Sequence, residues 1–352
     1  MSGQTHSAET NSPICTDALV IGAGPVGLFQ AFQLGLQGIH CHIVDALPHA
    51  GGQCVALYAD KPIYDIPGIA VCTGHELVER LQQQIQPFRP TWHLGQMVES
   101  LSPTDNGAWA FRSNSGTAWL AQTVFIAAGV GAFVPRSLAI EGIERHLNQQ
   151  IWFGSQALPN WQGQHLLVTG DSDAALQICL DAIGQADSIT LMHRRDAFHA
   201  EPDRLAAFEA ARQAHHIRFV AGQPTALRTN SDARLDGLSY LDAQGQNQTL
   251  PCDQLVMALG LSPKLGPVAQ WQLQLERKQL VVNTESFATS AKGIFAVGDI
   301  NTYPGKKKLI LCGFHEATLA AFGAAAHLWP QDKPLLQYTT TSSLLQKRLG
   351  VG

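Results

Sequence analysis

The hydrophobic pattern of the chain predicts two copies of one structural unit. Each copy has an apolar strand, a glycine-containing turn, a helical stretch and a second apolar strand. Continuous apolar strands of this length are typical of parallel sheets that are covered on both faces. The pattern therefore predicts an α/β fold with two Rossmann-like dinucleotide-binding domains of the three-layer ββα type. The first strand, turn and second strand cover residues 18–21, 22–27 and 41–44 in one copy, and 166–169, 170–175 and 189–192 in the other.

The residues that end the second strand differ in charge between the two copies. Asp45 ends this strand in the first copy, whereas a basic run ends it in the second. A carboxylate at this place accepts hydrogen bonds from a ribose 2′-OH, and arginines there neutralise a 2′-phosphate. The first copy is thus predicted to bind an unphosphorylated adenine dinucleotide through Gly22, Gly24, Gly27 and Asp45. The second is predicted to bind NADPH through Gly170, Ser172, Asp173, His193, Arg194 and Arg195.

The second turn departs from the usual glycine pattern. Ser172 stands where a glycine would let the backbone approach a pyrophosphate, and Asp171 and Asp173 add negative charge near the phosphates. The two arginines after the strand restore the case for NADPH, because guanidinium groups suit a phosphomonoester. A solvated basic loop is the alternative interpretation.

Two later apolar strands close on glycine, at 123–129 and 255–260, and we place the two chain crossings just after them. The second nucleotide domain is then inserted into the first. The predicted organisation is a disordered tail at 1–15, a first domain made of 16–130 and 261–352, and a second domain at 131–260. Two consecutive domains followed by a third C-terminal piece is the alternative.

Other segments are candidates for contact with a flat cofactor. A strand at 293–297 ends in Gly298-Asp299, and a helix is predicted from Glu316 to Leu328. An aspartate at such a strand end can accept hydrogen bonds from a ribityl or pyrophosphate group, and the helix start could point its N–H groups at a flavin carbonyl. Three aromatic residues could cover an isoalloxazine ring, although ordinary packing explains each one equally well: Tyr58, Tyr64 and Tyr338.

Composition restricts the classes of function. The chain has 352 residues, 45% hydrophobic and 14% charged, and a net charge of −5, which argues for a compact enzyme-like protein and against nucleic-acid binding. The N-terminus has no apolar core, so neither a signal peptide nor an anchor is expected. Seven cysteines without a Cys-x-x-Cys pair indicate reduced thiols in a cytoplasm. The 14 histidines show no metal-ligand spacing, so any chemistry is expected from cofactors.

The order of these motifs resembles that of ferredoxin–NADP⁺ reductases of the thioredoxin-reductase-like type, from about Asp17 to the C-terminus. Three stretches carry the resemblance: the first glycine turn with Gly51-Gly52-Gln53 and 57–65; His193-Arg194-Arg195-Asp196; and 298–306 with Leu309-Ile310 and Gly313-Phe314. The third is the most specific, because it is similar to the family's flavin-proximal loop.

The resemblance implies a homodimeric flavoprotein with FAD in the outer domain and NADPH in the inserted one. It adds no acid or base catalyst; Tyr58 and Tyr338 would stack on the two faces of the flavin. Gln53, Tyr64, Asp299 and Thr318 join the predicted FAD contacts. His199 stands where related sequences often have an arginine, which bears on NADPH selectivity.

The implied reaction is hydride transfer from NADPH to FAD, followed by single-electron transfer to ferredoxin or flavodoxin. A local basic run at Lys306, Lys307 and Lys308 is the predicted docking site, with a solvated loop as the alternative. The segment 151–156 lacks the cysteine pair of thioredoxin reductases, and Val26 replaces the cysteine of bacillithiol-disulfide-type reductases. Two other functions stay open: an NAD(P)H oxidase or diaphorase without a protein partner, and a non-catalytic flavin- or nucleotide-sensing protein.

Overall fold

A computed structural model describes residues 12–154, 156–332 and 336–351. The chain divides into two compact units: unit 1 is Met1–Ala132 with Lys264–Gly352, and unit 2 is Phe133–Pro263. Most of the predicted tail, residues 1–11, lies outside the described residues. The first strand begins at Ile14, inside the segment predicted as tail, because Ile14 to Ile21 pair along a neighbouring strand.

The first part of unit 1 contains the strand–turn–helix–strand unit that the hydrophobic pattern predicts. A capping box, in which Thr73 and Glu76 exchange hydrogen bonds, starts its third helix. Its elements are β1 (Ile14–Ile21), α1 (Pro25–Gln37), β2 (Cys41–Asp45), α2 (Gly52–Ala56), β3 (Pro62–Ile63), β4 (Cys72–Thr73), α3 (Gly74–Ile85), β5 (Thr91–Leu94), β6 (Val98–Pro103), β7 (Trp109–Ser113) and β8 (Ala118–Ile126).

Unit 2 contains the second copy of the pattern. Its first and last strands, which carry the chain into and out of the unit, pair with each other. Its elements are β9 (Ala132–Pro135), β10 (Ile151–Phe153), β11 (His165–Thr169), α4 (Asp173–Asp181), β12 (Ser188–His193), α5 (Pro202–Gln213), β13 (Arg218–Thr229), β14 (Leu235–Asp242), β15 (Asn247–Pro251), β16 (Gln254–Met257) and β17 (Leu261–Lys264).

The last part of the chain returns to unit 1. Its long helix begins at Ile310 and not at Glu316, so the predicted start is wrong by more than one turn. Leu309 is the N-cap and offers no side-chain cap, so the sequence carries no start signal at Ile310. Its elements are β18 (Leu275–Glu276), β19 (Gln279–Val281), β20 (Ile294–Ala296), β21 (Asn301–Thr302), α6 (Ile310–Leu328) and α7 (Ser343–Leu349).

The main sheet of each unit is parallel where the predicted nucleotide turns lie. In unit 1 the order is β5-β2-β1-β8-β7-β6, β20 also pairs with β8, and β1 lies parallel to both β2 and β8. In unit 2 the order is β10-β16-β11-β12-β13-β14-β15, parallel as far as β13. The inner residues of β1 and β11 are fully buried, as expected for strands covered on both faces. Among the described residues, no helix is both long and apolar enough to cross a membrane.

Two histidines meet at one edge of the unit 1 sheet, the buried His42 on β2 and the half-buried His93 on the edge strand β5. His42 is 8% exposed, and its Nδ1 lies 3.0 Å from Nε2 of His93. Burial, and then the charges of His93 and His40, lower the pKa of His42 from 6.5 to about 4, and burial also lowers the pKa of His93. Both imidazoles are therefore held neutral in the folded protein.

This pair predicts a stability that depends on pH. Below pH 6.5 the unfolded chain binds protons at these histidines and the folded chain does not, so stability should fall as the pH drops from 6.5 towards 4. The urea midpoint of His42→Gln should fall less between pH 7.5 and pH 5 than that of the unsubstituted protein. His75→Gln, at a side chain that is 59% exposed, is the control and should leave the difference unchanged. Equal pH dependence in all three proteins would contradict the assignment.

Candidate functional site

The first glycine turn brings backbone against backbone. Gly22 has φ of 112°, and a Cβ added to it would lie 2.4 Å from the carbonyl oxygen of Ala127, just beyond β8. A Cβ added to Gly27 would lie 1.9 Å from the carbonyl oxygen of Gly22. Both glycines are therefore required for α1 to start directly at the carboxyl edge of the sheet.

Gly24 is a glycine for a different reason. Its φ of −69° and ψ of 176° are open to any residue, and an added Cβ would meet nothing within 4 Å. It is the N-cap of α1, which has neither a side-chain cap nor an acidic residue in its first turn. Open space in front of an uncapped helix N-terminus suits an anionic group such as a pyrophosphate.

Asp45 lies beside this turn at the end of β2. Its Oδ2 accepts a hydrogen bond from the Ala23 N–H at 2.6 Å, and its Oδ1 accepts one from the Leu47 N–H at 2.8 Å. Burial raises the pKa of Asp45, and these two hydrogen bonds act against that rise. Each carboxylate oxygen keeps a further lone pair, so the side chain can also accept hydrogen bonds from ribose hydroxyls.

Two more predicted segments of unit 1 meet the first turn. A Cβ on Gly52, at the start of α2, would lie 3.1 Å from the Gly24 Cα, and one on Gly129 would lie 3.0 Å from Nε2 of Gln53. A Cβ on Gly298 would lie 3.4 Å from Val26, in the first turn of α1. The structure thus gathers Gln53 and the Gly298-Asp299 turn around the glycine turn.

The Asp299 carboxylate accepts no hydrogen bond from the residues that the structure describes. Burial raises its pKa, against the positive charges of Lys306 and Lys308. A half-buried carboxylate of this kind, next to an open helix N-terminus, is available to the hydroxyl groups of a ligand.

A buried carboxylate that sequence reasoning missed lies under this turn. Glu316, on α6, is 0% exposed. It stands on a helix face whose other buried members are glycine and alanine, and that isolated acid was the signal that could have revealed it. It accepts four hydrogen bonds: from Gly298 N–H at 2.6 Å, Asn301 Nδ2 at 2.8 Å, Tyr303 O–H at 3.0 Å and Lys306 Nζ at 2.5 Å.

The assignment of Lys306 to partner docking is wrong. Its side chain is only 7% exposed, and its ammonium group is held by Glu316 and by the Gly298 carbonyl oxygen at 2.9 Å. Lys307 and Lys308 are exposed. The three consecutive lysines therefore divide between the interior and the surface.

The three predicted aromatic residues are all exposed, and among the described residues none of their rings stacks on another aromatic ring. Tyr58, Tyr64 and Tyr338 are 46%, 71% and 64% exposed. Gln337 and Thr339, the neighbours of Tyr338, line a cavity of about 180 Å³ together with Thr318 and Gln33, far along α1 from its N-terminus. Because α1 rises about 1.5 Å per residue, Thr318 and the segment around Tyr338 lie away from the glycine turn of the same chain. Contact of these two residues with a flavin ring stays a prediction.

The second turn has the same frame with different side chains. Gly170 has φ of 149°, and a Cβ on it would lie 2.4 Å from the Ala258 carbonyl oxygen. Ser172 is the N-cap of α4 with φ of −90° and ψ of 164°, close to the angles of Gly24. Its side chain gives no cap to the helix, and its hydroxyl faces the Ala258 carbonyl oxygen at 3.4 Å. Ser172 thus occupies space that Gly24 leaves open.

The two units carry the acidic residue at opposite places: unit 1 has it at the strand end, and unit 2 has it on the turn. His193 stands relative to Gly170 as Asp45 stands relative to Gly22, and the acid of unit 2 is Asp171 on the turn itself. The Asp171 Oδ2 lies 3.7 Å from His193 Nε2 and 3.2 Å from His199 Nδ1. His199 is therefore held at the turn beside Ser172, where its own N–H donates to the Asp171 carbonyl oxygen at 2.7 Å.

The other charged residues near the second turn are one paired acid and two unpaired arginines. Asp173 is paired with Arg204, its Oδ2 2.9 Å from Nη1, which offsets its negative charge at the helix start. Arg194 and Arg195 are exposed and form no ion pair with any described residue. Two guanidinium groups next to a strand end are thus available to an anion.

Most of the cysteines lie in the interior of the protein. Cys41, Cys54, Cys72, Cys179 and Cys252 are buried, and burial raises the pKa of Cys54 to about 11. Among the described residues, no group of three or more histidine, cysteine or acidic side chains could hold a metal ion.

The chain is similar to known proteins over most of its length. A family model described as pyridine nucleotide-disulphide oxidoreductase matches residues 16–317. The chain is 55% identical, over 98% of its length and 98% of the relative's, to a protein of Acidovorax sp. (strain JS42) named ferredoxin–NADP reductase. A protein of the same name from Paracidovorax citrulli is 56% identical over 95% of this chain and 96% of its own.

Solved structures share the fold. A bacillithiol disulfide reductase from Staphylococcus aureus has a TM-score of 0.59 at 14% identity, covering 91% of this chain and 99% of its own. A thioredoxin reductase from Lactococcus lactis has a TM-score of 0.56 at 20% identity, covering 90% and 99%. The resemblance and the α/β fold class predicted from the sequence are confirmed.

The two kinds of glycine in the first turn give a testable contrast. Gly27→Ala should lower the free energy of unfolding by about 3 kcal/mol, because the new Cβ would collide with backbone. Gly24→Ala should cost only about 1 kcal/mol, the difference between these residues at an N-cap, yet it should weaken FAD binding more than tenfold, since about one charge-assisted contact is lost. Urea denaturation without ligand and fluorescence titration with FAD measure the two effects. Similar stability losses, or unchanged FAD affinity in Gly24→Ala, would contradict the distinction.

Proposed function

The chain belongs to the pyridine nucleotide-disulphide oxidoreductase family, and we propose that it is an FAD-dependent reductase that passes electrons between NADPH and ferredoxin or flavodoxin. One observation carries the proposal: an acid ends the nucleotide-binding strand of unit 1, and free guanidinium groups follow that of unit 2. The chain has no Cys-x-x-Cys pair, which argues against dithiol chemistry.

Unit 1 fits FAD. The open space at Gly24 suits the pyrophosphate, Asp45 the adenosine ribose and Asp299 the ribityl hydroxyl groups. When bound, FAD supplies a centre that accepts two electrons together and releases them singly. The protein then needs no general acid or base; Tyr58 remains the residue of unit 1 proposed to cover the ring, and Tyr64 stays a proposed contact.

Unit 2 fits NADPH through the basic residues at its strand end more than through its turn. Arg194 and Arg195 would hold the 2′-phosphate, and His193 would stay with Asp171. The Ser172 side chain would keep a pyrophosphate further from the backbone than Gly24 would. We therefore propose that recognition rests more on the 2′-phosphate than on the turn.

Assembly and location are part of the proposal. The C-terminal segment exposes apolar side chains, with Leu336 at 66%, Tyr338 at 64% and Val351 at 74%. Burial of this segment against a second copy would cover them, which supports a homodimer. The seven free cysteines support a cytoplasmic location.

The central test is anaerobic rapid mixing of the FAD-loaded protein with NADPH or NADH, followed through the oxidised-flavin absorbance. NADPH should bleach the flavin faster than NADH. In Arg194→Ala the NADPH concentration for the half-maximal rate should rise about tenfold or more, through loss of a charge-assisted contact. The value for NADH should change little, because NADH has no 2′-phosphate.

Other outcomes would select other functions. Absence of bleaching with either nucleotide would contradict the reductase and favour a sensor. Rapid bleaching combined with fast reoxidation by oxygen or quinones, and indifference to ferredoxin, would favour an oxidase or diaphorase. An equal effect of Arg194→Ala on both nucleotides would place the phosphate site elsewhere.

Docking of an acidic electron carrier is proposed at Lys307 and Lys308, which are both exposed. The charge of Lys308 also acts on the Asp299 carboxylate. The variant Lys307→Glu/Lys308→Glu should lower kcat/KM for ferredoxin about tenfold at low salt and flatten its salt dependence, because charge steering is lost. Reduction of the flavin by NADPH should be unchanged. Arg277→Glu/Lys278→Glu, which makes the same charge change at another exposed basic pair of unit 1, serves as the matched control. Retained salt dependence in the Lys307/Lys308 variant would assign docking to another surface.

A further inference from the structure

The Gly298-Asp299 turn is held from below by a buried ion pair. On the premise of the proposed function, we infer that Lys306 and Glu316 are positioning residues of the flavin site, which act on FAD through the Asp299 carboxylate. Neither side chain is exposed enough to meet a protein partner, since Lys306 is 7% and Glu316 0% exposed.

The pair fixes the peptide that carries Asp299. The Gly298 N–H donates to Glu316 Oε2 at 2.6 Å, and the Gly298 carbonyl oxygen accepts from Lys306 Nζ at 2.9 Å. That carbonyl belongs to the same planar peptide as the Asp299 N–H. Holding Gly298 at both polar groups therefore sets the direction in which the Asp299 side chain leaves the backbone.

Neighbouring groups hold the turn from both sides. Asn301 Nδ2 donates to Glu316 Oε2 and to the Ala296 carbonyl oxygen, both at 2.8 Å. A Cβ on Gly313 would lie 3.4 Å from the Gly298 Cα, so α6 packs directly against the turn. Gly298 has φ of 80° and no side chain that could hold it by packing. The hydrogen bonds to its N–H and carbonyl groups therefore hold its conformation.

Stability alone does not explain why Lys306 and Glu316 form a buried ion pair. A buried pair of this kind can often be replaced by apolar residues without loss, whereas removal of one partner leaves an unpaired buried charge. All four lone-pair directions of Glu316 are used, yet the neighbouring Asp299 accepts no hydrogen bond from a described residue. The network thus satisfies itself and leaves one carboxylate for a ligand.

Lys306 also provides charge. Among the cations near Asp299, Lys306 lowers the pKa of that carboxyl group most. Its charge favours the ionised carboxylate, whereas burial favours the protonated form. Without Lys306, the charge of the buried Glu316 would add to the effect of burial and raise the pKa of Asp299 further. The positioning role therefore includes keeping Asp299 an acceptor for hydroxyl groups.

A double-mutant cycle tests this inference on the apoprotein. FAD affinity is measured by quenching of flavin fluorescence for the unsubstituted protein, Lys306→Met, Asp299→Ala and the double variant, with circular dichroism to confirm folding. Lys306→Met should weaken FAD binding about tenfold or more, but only about twofold when Asp299 is already alanine, because the two residues act as one unit. Lys307→Met, at the exposed neighbour, should leave the affinity within about twofold.

Two results would overturn the inference. One is an equal loss of affinity from Lys306→Met in both backgrounds, which indicates a general structural role; the other is an unchanged affinity. If Lys306→Met does not fold, Glu316→Gln, which keeps the shape and removes the charge, goes through the same cycle with the same criteria. Failure of the unsubstituted protein to bind FAD would overturn the proposed function and the inference together, whereas binding with additive losses overturns the inference alone.

Discussion

Close approach of backbone to backbone at two strand ends is the constraint on which both sites depend. Gly22 and Gly170 each touch the carbonyl group of an alanine that follows a parallel strand, Ala127 and Ala258. A side chain at either glycine would push the helix away from the sheet. The helix N-terminus would then no longer lie at the carboxyl edge, where it can face a phosphate.

On this shared frame, specificity is a matter of which side chains carry charge. In unit 1 the acid belongs to the strand end and binds the turn, as Asp45 does with Ala23. In unit 2 the acid belongs to the turn and attracts imidazole, as Asp171 does with His193. The strand end of unit 2 is thereby free to be basic. One geometry can therefore hold two different dinucleotides without any change in the fold.

The fold and the frame of each site were predictable, because they depend on local patterns. Apolar runs, turn glycines and the charge at a strand end are visible in neighbouring residues. The errors concern residues whose role is set by distant packing. Lys306 belongs to a run that reads as surface, yet it turns inward because Glu316, on a helix that begins later, lies beneath it. The start of α6 was predicted more than one turn too late, because Leu309 at its N-cap offers no side-chain cap that the sequence would reveal.

The run at 306–308 shows why charge patterns alone cannot separate surface from interior. A buried carboxylate without a cation would be protonated or would destabilise the fold, so Glu316 requires a partner within reach. The chain supplies that partner from the same run that exposes Lys307 and Lys308. Gly298 has a left-handed conformation and no side chain of its own. Hydrogen bonds to its backbone fix the direction of this turn, which apolar packing would not do. The polar interior under Asp299 is thus best understood as a means of orientation, and its cost in desolvation is offset by the four hydrogen bonds that Glu316 accepts.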